Sequence, residues 1–273
     1  YISTYSEGMS GSCSPKNLET MMQLVYLYFT APRADQEAFE SNMQRTKAMV
    51  KNMELNPMIT LSDTLNKVLY NNHPLTLRMK VEDYDKVDYA KAMEMYKDRF
   101  ADPNNFTFTF VGNIDPETFK PLVEKYLASL KKNKRKEDWK NIGLAVNDDN
   151  YVTHYRKEMQ DPKTSVYMIY NGDMEYNLYN DIYMEVLSDV LDIVYTKSIR
   201  EEQGGTYGVG VMGQINNRPE DNFMFYIVFD TNDEVYATLM DIAKAGLKDI
   251  AENGPRQEDL SKVLENKFKK RTE

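Results

Sequence analysis

Apolar positions along the chain change period part-way. Phe39, Met43, Thr46 and Val50 fall on one stripe of a helix predicted from Asp35, and Leu61, Leu65, Val68 and Leu69 on another predicted from about Pro57. Ahead of them, LETMMQLVYLYFT reads as a helix stopped by Pro32, with Ser14-Pro15 as its start signal. It is apolar around much of its circumference, which predicts burial. A further helix, VDYAKAMEMYKDRF, ends near Asp102-Pro103. NFTFTFVGNI then alternates, with Phe106, Phe108 and Phe110 on one side and Thr107 and Thr109 on the other, the period of a strand. Asp115-Pro116 opens the helix FKPLVEKYLASL.

A charged run, KKNKRKEDWKN from Lys131, interrupts the pattern and reads as a solvated linker, so a domain boundary is expected near Gly143. Beyond it the predicted order is β, β, α, β, β, α, α. YVTHYRKE and TSVYMIYNG are the first two strands, and a helix runs from about Leu178 to Arg200 with Ile182, Val186, Val190 and Val194 on one stripe. TYGVGVMGQI, a turn at Asn216–Pro219 and NFMFYIVFD follow, with Phe223, Phe225, Ile227 and Phe229 on one face. So short a connection makes that pair antiparallel. Asp233 is expected to cap the next helix, and Pro255 to open the last. The fold class is α+β: two units, 1–143 and 144–273, of mainly antiparallel sheet with packed helices.

Composition narrows the function classes. With 273 residues there is room for one large or two modest domains, and a net charge of -9 argues against nucleic acid as the main partner. No apolar run is long enough to span a membrane. Cys13 is the single cysteine, so no internal disulfide can form; that fits a reducing compartment and also many bacterial envelope or periplasmic proteins. The chain begins YISTYS without an initiator Met and ends FKKRTE after a helical pattern, as expected for a piece of a longer protein.

The stretch with the most to say about chemistry is YTKSIREEQGGTYGVGV. A helix end carries Arg200, Gly204 and Gly205 allow a reversal, and Tyr207 follows at the start of a strand, so Arg200 and Tyr207 are expected to face one space. A purely structural role is open for both: arginine suits a helix C-terminus and tyrosine suits a sheet. A conventional zinc site is not expected within the chain. His73 precedes Pro74 in a loop, His154 lies in a predicted strand with Glu158 four residues on, and neither belongs to a two-histidine helical motif. There is no G-x-S-x-G elbow, and the glycines at 204–210 lack the order and the Lys-Ser/Thr of a phosphate loop.

Three segments, taken in order, carry a resemblance. YKDRFADPNNFTFTFVGNIDPETFKPLVEKYLASL is similar to a helix, Y-x-P-x-N, a strand ending in VG and a second helix; REEQGGTYGVGV is similar to R-E-x-x-x-x-x-Y-x-V; and MMQLVYLYFTAPRADQEAF is similar to the stretch after a small-residue loop. These are features of the pitrilysin/insulinase family of zinc metallopeptidases, the inverted H-x-x-E-H enzymes. The resemblance implies tandem α+β domains forming two halves of a clamshell. This chain would be the C-terminal non-catalytic half, with 1–143 the back part of one inactive domain and 144–273 most of the last. Zinc would be bound outside this chain, on the N-terminal catalytic half, and the fragment alone would be inactive. Arg200 and Tyr207 would reach the bound peptide or small protein substrate, Tyr207 as an oxyanion donor. The Gly-Gly turn departs from the longer family loop. Two alternatives stay open: a catalytically silent family member acting as a structural or peptide-binding subunit, and an unrelated peptide-binding α+β domain.

Overall fold

A computed structural model of the protein describes residues 1–132, 137–206 and 208–272. The chain divides into two compact units, Tyr1–Asp63 with His73–Ile142, and Thr64–Asn72 with Gly143–Glu273.

The first unit is helical: α1 (Leu18–Thr30), α2 (Gln36–Met53), the start of α3 (Pro57–Leu69), the single turn α4 (Val81–Tyr84), α5 (Tyr89–Arg99) and α6 (Pro116–Tyr126). Asp35, Asp88 and Asp115 each accept a hydrogen bond from a first-turn backbone N–H, satisfying donors that a helix start leaves open. The core gathers Met22, Val50, Phe100, Tyr126 and Leu130. Phe29 of α1 meets Phe106 edge to face at 5.0 Å and Phe100 at 5.6 Å. Such ring pairs contribute about 0.5–1.5 kcal/mol each beyond area burial. Arg78 forks onto Asp63, Nε to Oδ1 at 3.1 Å and Nη2 to Oδ2 at 2.8 Å.

The alternation at Phe106–Phe110 sets direction but not pairing. The three phenylalanines are half-buried and Thr107 and Thr109 exposed, yet the segment joins no ladder among the described residues. Alternation places side chains on faces; a strand also needs a neighbour for its backbone groups. The described sheet therefore lies wholly in the second unit. Helix α1 also departs from expectation, since Met22 is its only buried residue.

In the second unit, β1 (Thr164–Asp173), β2 (Val209–Asn216) and β3 (Asn222–Thr231) form an antiparallel sheet with β3 at the centre. Val166 and Val209 both face Phe229 across the ladders, and Met168 and Val211 both face Ile227. That register puts every large apolar residue of the buried face in one layer. Against it lie α7 (Leu178–Tyr195) and α8 (Tyr236–Asn253), followed by α9 (Gln257–Thr272). Phe225, Ile227, Phe229, Leu191, Tyr195, Leu239 and Ala243 join one core. Helix α7 comes close enough at Gly213 that an added Cβ would sit 2.4 Å from Met184 Sδ. Tyr195 is fully buried, and its hydroxyl donates to the Ala243 carbonyl at 2.7 Å. Burial pushes that phenol far above its ordinary range, so it remains a neutral donor.

One expected strand is absent. Residues 151–158 form no ladder and are exposed, with Tyr151 and Val152 both open to solvent. Tyr151, Thr153 and Tyr155 would share a face of a strand, yet the segment joins no described ladder that could bury that face. Asp233 does not cap α8 either: the Asn232 side chain accepts from the N–H groups of Glu234 and Val235 just before the helix.

Candidate functional site

The site is built where α7 ends. The last α-helical residue is Tyr195, and Thr196–Glu201 continue as a π-helical turn. Its wider spacing shows in the Glu202 N–H, which donates to the Lys197 carbonyl five residues back at 3.0 Å. The Ser198 hydroxyl donates to the Val194 carbonyl at 2.9 Å, a side-chain bond that competes with regular α-helical pairing. Ile199 is fully buried and anchors the turn from below. Its neighbour Arg200 is exposed, and among the described residues its guanidinium makes no ion pair or hydrogen bond. π-Turns recur at functional sites because they re-aim side chains against the helical repeat.

Three contacts fix the reversal that follows. The Arg200 carbonyl accepts from the Gly204 N–H at 3.1 Å, and Gly204 has φ +61°, the left-handed cap glycine tolerates. The Gly205 carbonyl accepts from Thr231 Oγ1 at 2.6 Å, tying the turn to the end of β3. Thr206 Oγ1 accepts from the Gly208 N–H at 3.2 Å just ahead of β2. Tyr207 lies outside the described residues, so only the Arg200 side of the expected pair has a described geometry. The π-turn itself was not foreseen; Ser198 is its only sequence signal, and serine inside a helix is common.

Beside the turn is an open polar cleft, lined by Asp192, Thr196 and Glu201 on one side and Arg256, Asp259 and Lys262 on the other. Two of the three cations in its lining are paired with acids of the same lining. Arg256 forks onto the buried Asp259 with both distances 2.7 Å, and Lys262 meets Glu258 at 2.6 Å. Asp192 is pushed above the usual carboxylate range, mainly by burial; a hydrogen bond from the Val211 N–H opposes this and nearby Asp189 adds to it. Arg256 and Lys262 are thus paired within the protein, while Lys197, the third cation of the lining, makes no ion pair among the described residues.

The described residues offer no ligand set that fits zinc. No group of three or more His, Cys, Asp or Glu side chains gathers among the described residues. His73 uses Nδ1 to accept from the Leu75 N–H at 3.3 Å. His154 and Glu158 are both exposed on a segment without regular structure.

Residues 86–267 match the family model described as the peptidase M16 inactive domain. The chain belongs to the peptidase M16 family. This is the pitrilysin/insulinase kinship that the sequence motifs carry, and within it the chain is of the non-catalytic kind. The chain is 27% identical over 266 residues to a "zinc protease PQQL-like" protein of Arabidopsis thaliana, covering 91% of this chain and 28% of that one. The crystal structure of the periplasmic protease PqqL from Escherichia coli superposes with a TM-score of 0.80 at 19% identity, over 93% of this chain and 28% of that one. A mutant of the ferredoxin protease FusC in complex with Arabidopsis ferredoxin gives 0.72 at 13% identity, over 94% and 28%. These likenesses show an M16 fold, and the α+β class with it. The chain thus spans about 28% of the length of these relatives. Membership of the family sets aside an unrelated peptide-binding domain.

Proposed function

We propose that the chain is the C-terminal, substrate-closing part of a zinc metalloendopeptidase whose catalytic residues lie outside it. Residues 1–143 are then the back part of one inactive domain and 144–273 most of the last. The observation that carries this reading is Arg200: an uncompensated, exposed guanidinium on a π-turn anchored by buried Ile199, within a chain of the M16 inactive class. An arginine needed only to close a helix end would be expected to hydrogen-bond the last carbonyls.

Peptide hydrolysis drives negative charge onto the scissile carbonyl oxygen, and donors held ready for that charge lower the barrier. In this reading the Tyr207 hydroxyl donates to the developing oxyanion and the Arg200 guanidinium holds a neighbouring substrate carbonyl. Tyrosine suits the first task because it is a neutral donor at the tip of a rigid side chain. The zinc that the relatives' names imply belongs to the other half of the protein, so the two halves must close before these donors can act, a gating step. A peptide or small protein is the substrate class; the solved complex of the FusC mutant with ferredoxin supports a protein substrate. No helix of the described residues is long and apolar enough to cross a membrane. The periplasmic setting of the Escherichia coli neighbour supports the bacterial envelope as the compartment.

The test is Arg200→Ala in the full-length protein. KM should rise about tenfold or more, the worth of one hydrogen bond from a charged donor, with the melting temperature unchanged. Unchanged KM together with a lower melting temperature would make Arg200 a structural residue. If the full-length protein has no peptidase activity, the chain is part of a silent structural or peptide-binding subunit.

A further inference from the structure

Strand β3 runs past the end of its ladder with β2. Val209 faces Phe229 as the first pair of that ladder, while β3 continues to Thr231, which still faces Thr164 of β1. In the same register a longer β2 would set Gly208 opposite Asp230 and residue 207 opposite Thr231. It would also set residue 207 on the face that Val211 and Ile215 occupy, and both of those are buried in the core of the second unit. A tyrosine carried on in the strand would thus be aimed at the core and away from any ligand.

Two threonines hold the chain off that course. Thr231 Oγ1 donates to the Gly205 carbonyl at 2.6 Å, two residues short of the one that the register would bring opposite it. Gly205 is seated against α8 as well, since an added Cβ would lie 3.1 Å from Leu239 Cδ1. Thr206 Oγ1 then accepts from the Gly208 N–H at 3.2 Å and donates to the Gly208 carbonyl at 2.9 Å. Only Thr206, Tyr207 and Gly208 lie between the Thr231 tie and the first ladder pair. Thr231 is a firm anchor, because its own backbone is paired with β1 and β-branching restricts its χ1. Breaks of this kind, where residues leave a ladder, re-aim a side chain and recur beside active sites.

We propose that Thr231 and Thr206 are positioning residues for Tyr207: they take its segment off the β2 ladder and fix the two ends of that segment, which leaves the tyrosine available to substrate. This rests on the reading of Tyr207 as an oxyanion donor, and the effect of both threonines on the reaction runs through Tyr207 alone.

The test is a double-mutant cycle in the full-length protein. Thr231→Val, which keeps the shape of the side chain and removes its donor, is crossed with Tyr207→Phe. Thr231→Val should lower kcat about tenfold or more, because a small misplacement of a reacting group is costly, with KM and zinc content unchanged. Thr231→Ser keeps the hydroxyl and should restore the rate. In the Tyr207→Phe background Thr231→Val should have no further effect on kcat, since residues that act through one group are not additive. Thr206→Val should behave as Thr231→Val does, and it leaves the tie to β3 in place should the first variant fold poorly. Amide hydrogen exchange on the same preparations gives a readout apart from catalysis: Thr231→Val should speed exchange at Gly204 and Gly208. An unaltered kcat in Thr231→Val beside an impaired Tyr207→Phe would overturn the positioning role and leave the catalytic reading standing. So would losses that multiply in the double variant, a loss that serine does not restore, or exchange indifferent to Thr231→Val. An unaltered kcat in Tyr207→Phe would instead overturn the catalytic reading, and the positioning role with it.

Discussion

Asp192 shows what a single residue contributes here. Its carboxyl is pushed up mainly by burial, while the hydrogen bond from the Val211 N–H only partly compensates and Asp189 adds repulsion. An acid whose pKa is higher folded than unfolded holds its proton more tightly in the native state. Stability is therefore lost as pH rises from the ordinary carboxylate range through the raised value. Asp192→Asn keeps an oxygen for the Val211 N–H and removes the charge. The variant should melt higher than the parent at neutral pH, and the difference should vanish well below the ordinary carboxylate range. A thermal melt series across pH checks this; a variant that melts lower at neutral pH would mean the carboxylate is stabilising. Arg200 is the opposite case, an exposed charge with no described partner to relieve.

At the scale of elements, α7 packs closely on β2 at Gly213. Gly213→Val would drive side-chain atoms into Met184 and Ser188, whose Sδ and Oγ lie 2.4 and 2.8 Å from an added Cβ. Overpacking of this kind costs about 1–3 kcal/mol, so the melting temperature should fall; an unchanged melt would show that α7 can shift on the sheet. The strands β1, β2 and β3 were legible because alternation and burial agree there: Phe225, Ile227 and Phe229 point inward as their spacing implies. Residues 151–158 were misread because aromatic and β-branched residues favour strands locally, while a strand also needs a ladder to join, and this segment joins none that is described. At Phe106–Phe110 the spacing gave the facing but could not supply a partner. The apolar circumference of α1 was legible too, but not that one face stays open. The π-turn was hidden because what accompanies it, the seating of Ile199 in the core, is a tertiary fact. Of the candidate pair, the sequence placed Arg200 at a helix end before a glycine reversal, and the structure has it there. The role of either residue came from family kinship.

At the scale of the whole molecule, the chain is a quarter or so of its relatives and carries no cluster of metal-binding side chains among its described residues. The purified chain, dialysed and then supplied with zinc, should retain no stoichiometric zinc by metal analysis and cleave no peptide. Chelator-sensitive cleavage by this chain alone would place the active site inside it. The central claim is that the chain nevertheless takes part in catalysis, through Tyr207. The most direct measurement is kcat of the full-length protein with Tyr207→Phe, a change that removes one hydroxyl and little else, with zinc content and melting temperature measured on the same preparation. The account predicts a kcat lower by about 10²–10³-fold with zinc and stability intact; a kcat equal to that of the unaltered protein would contradict it.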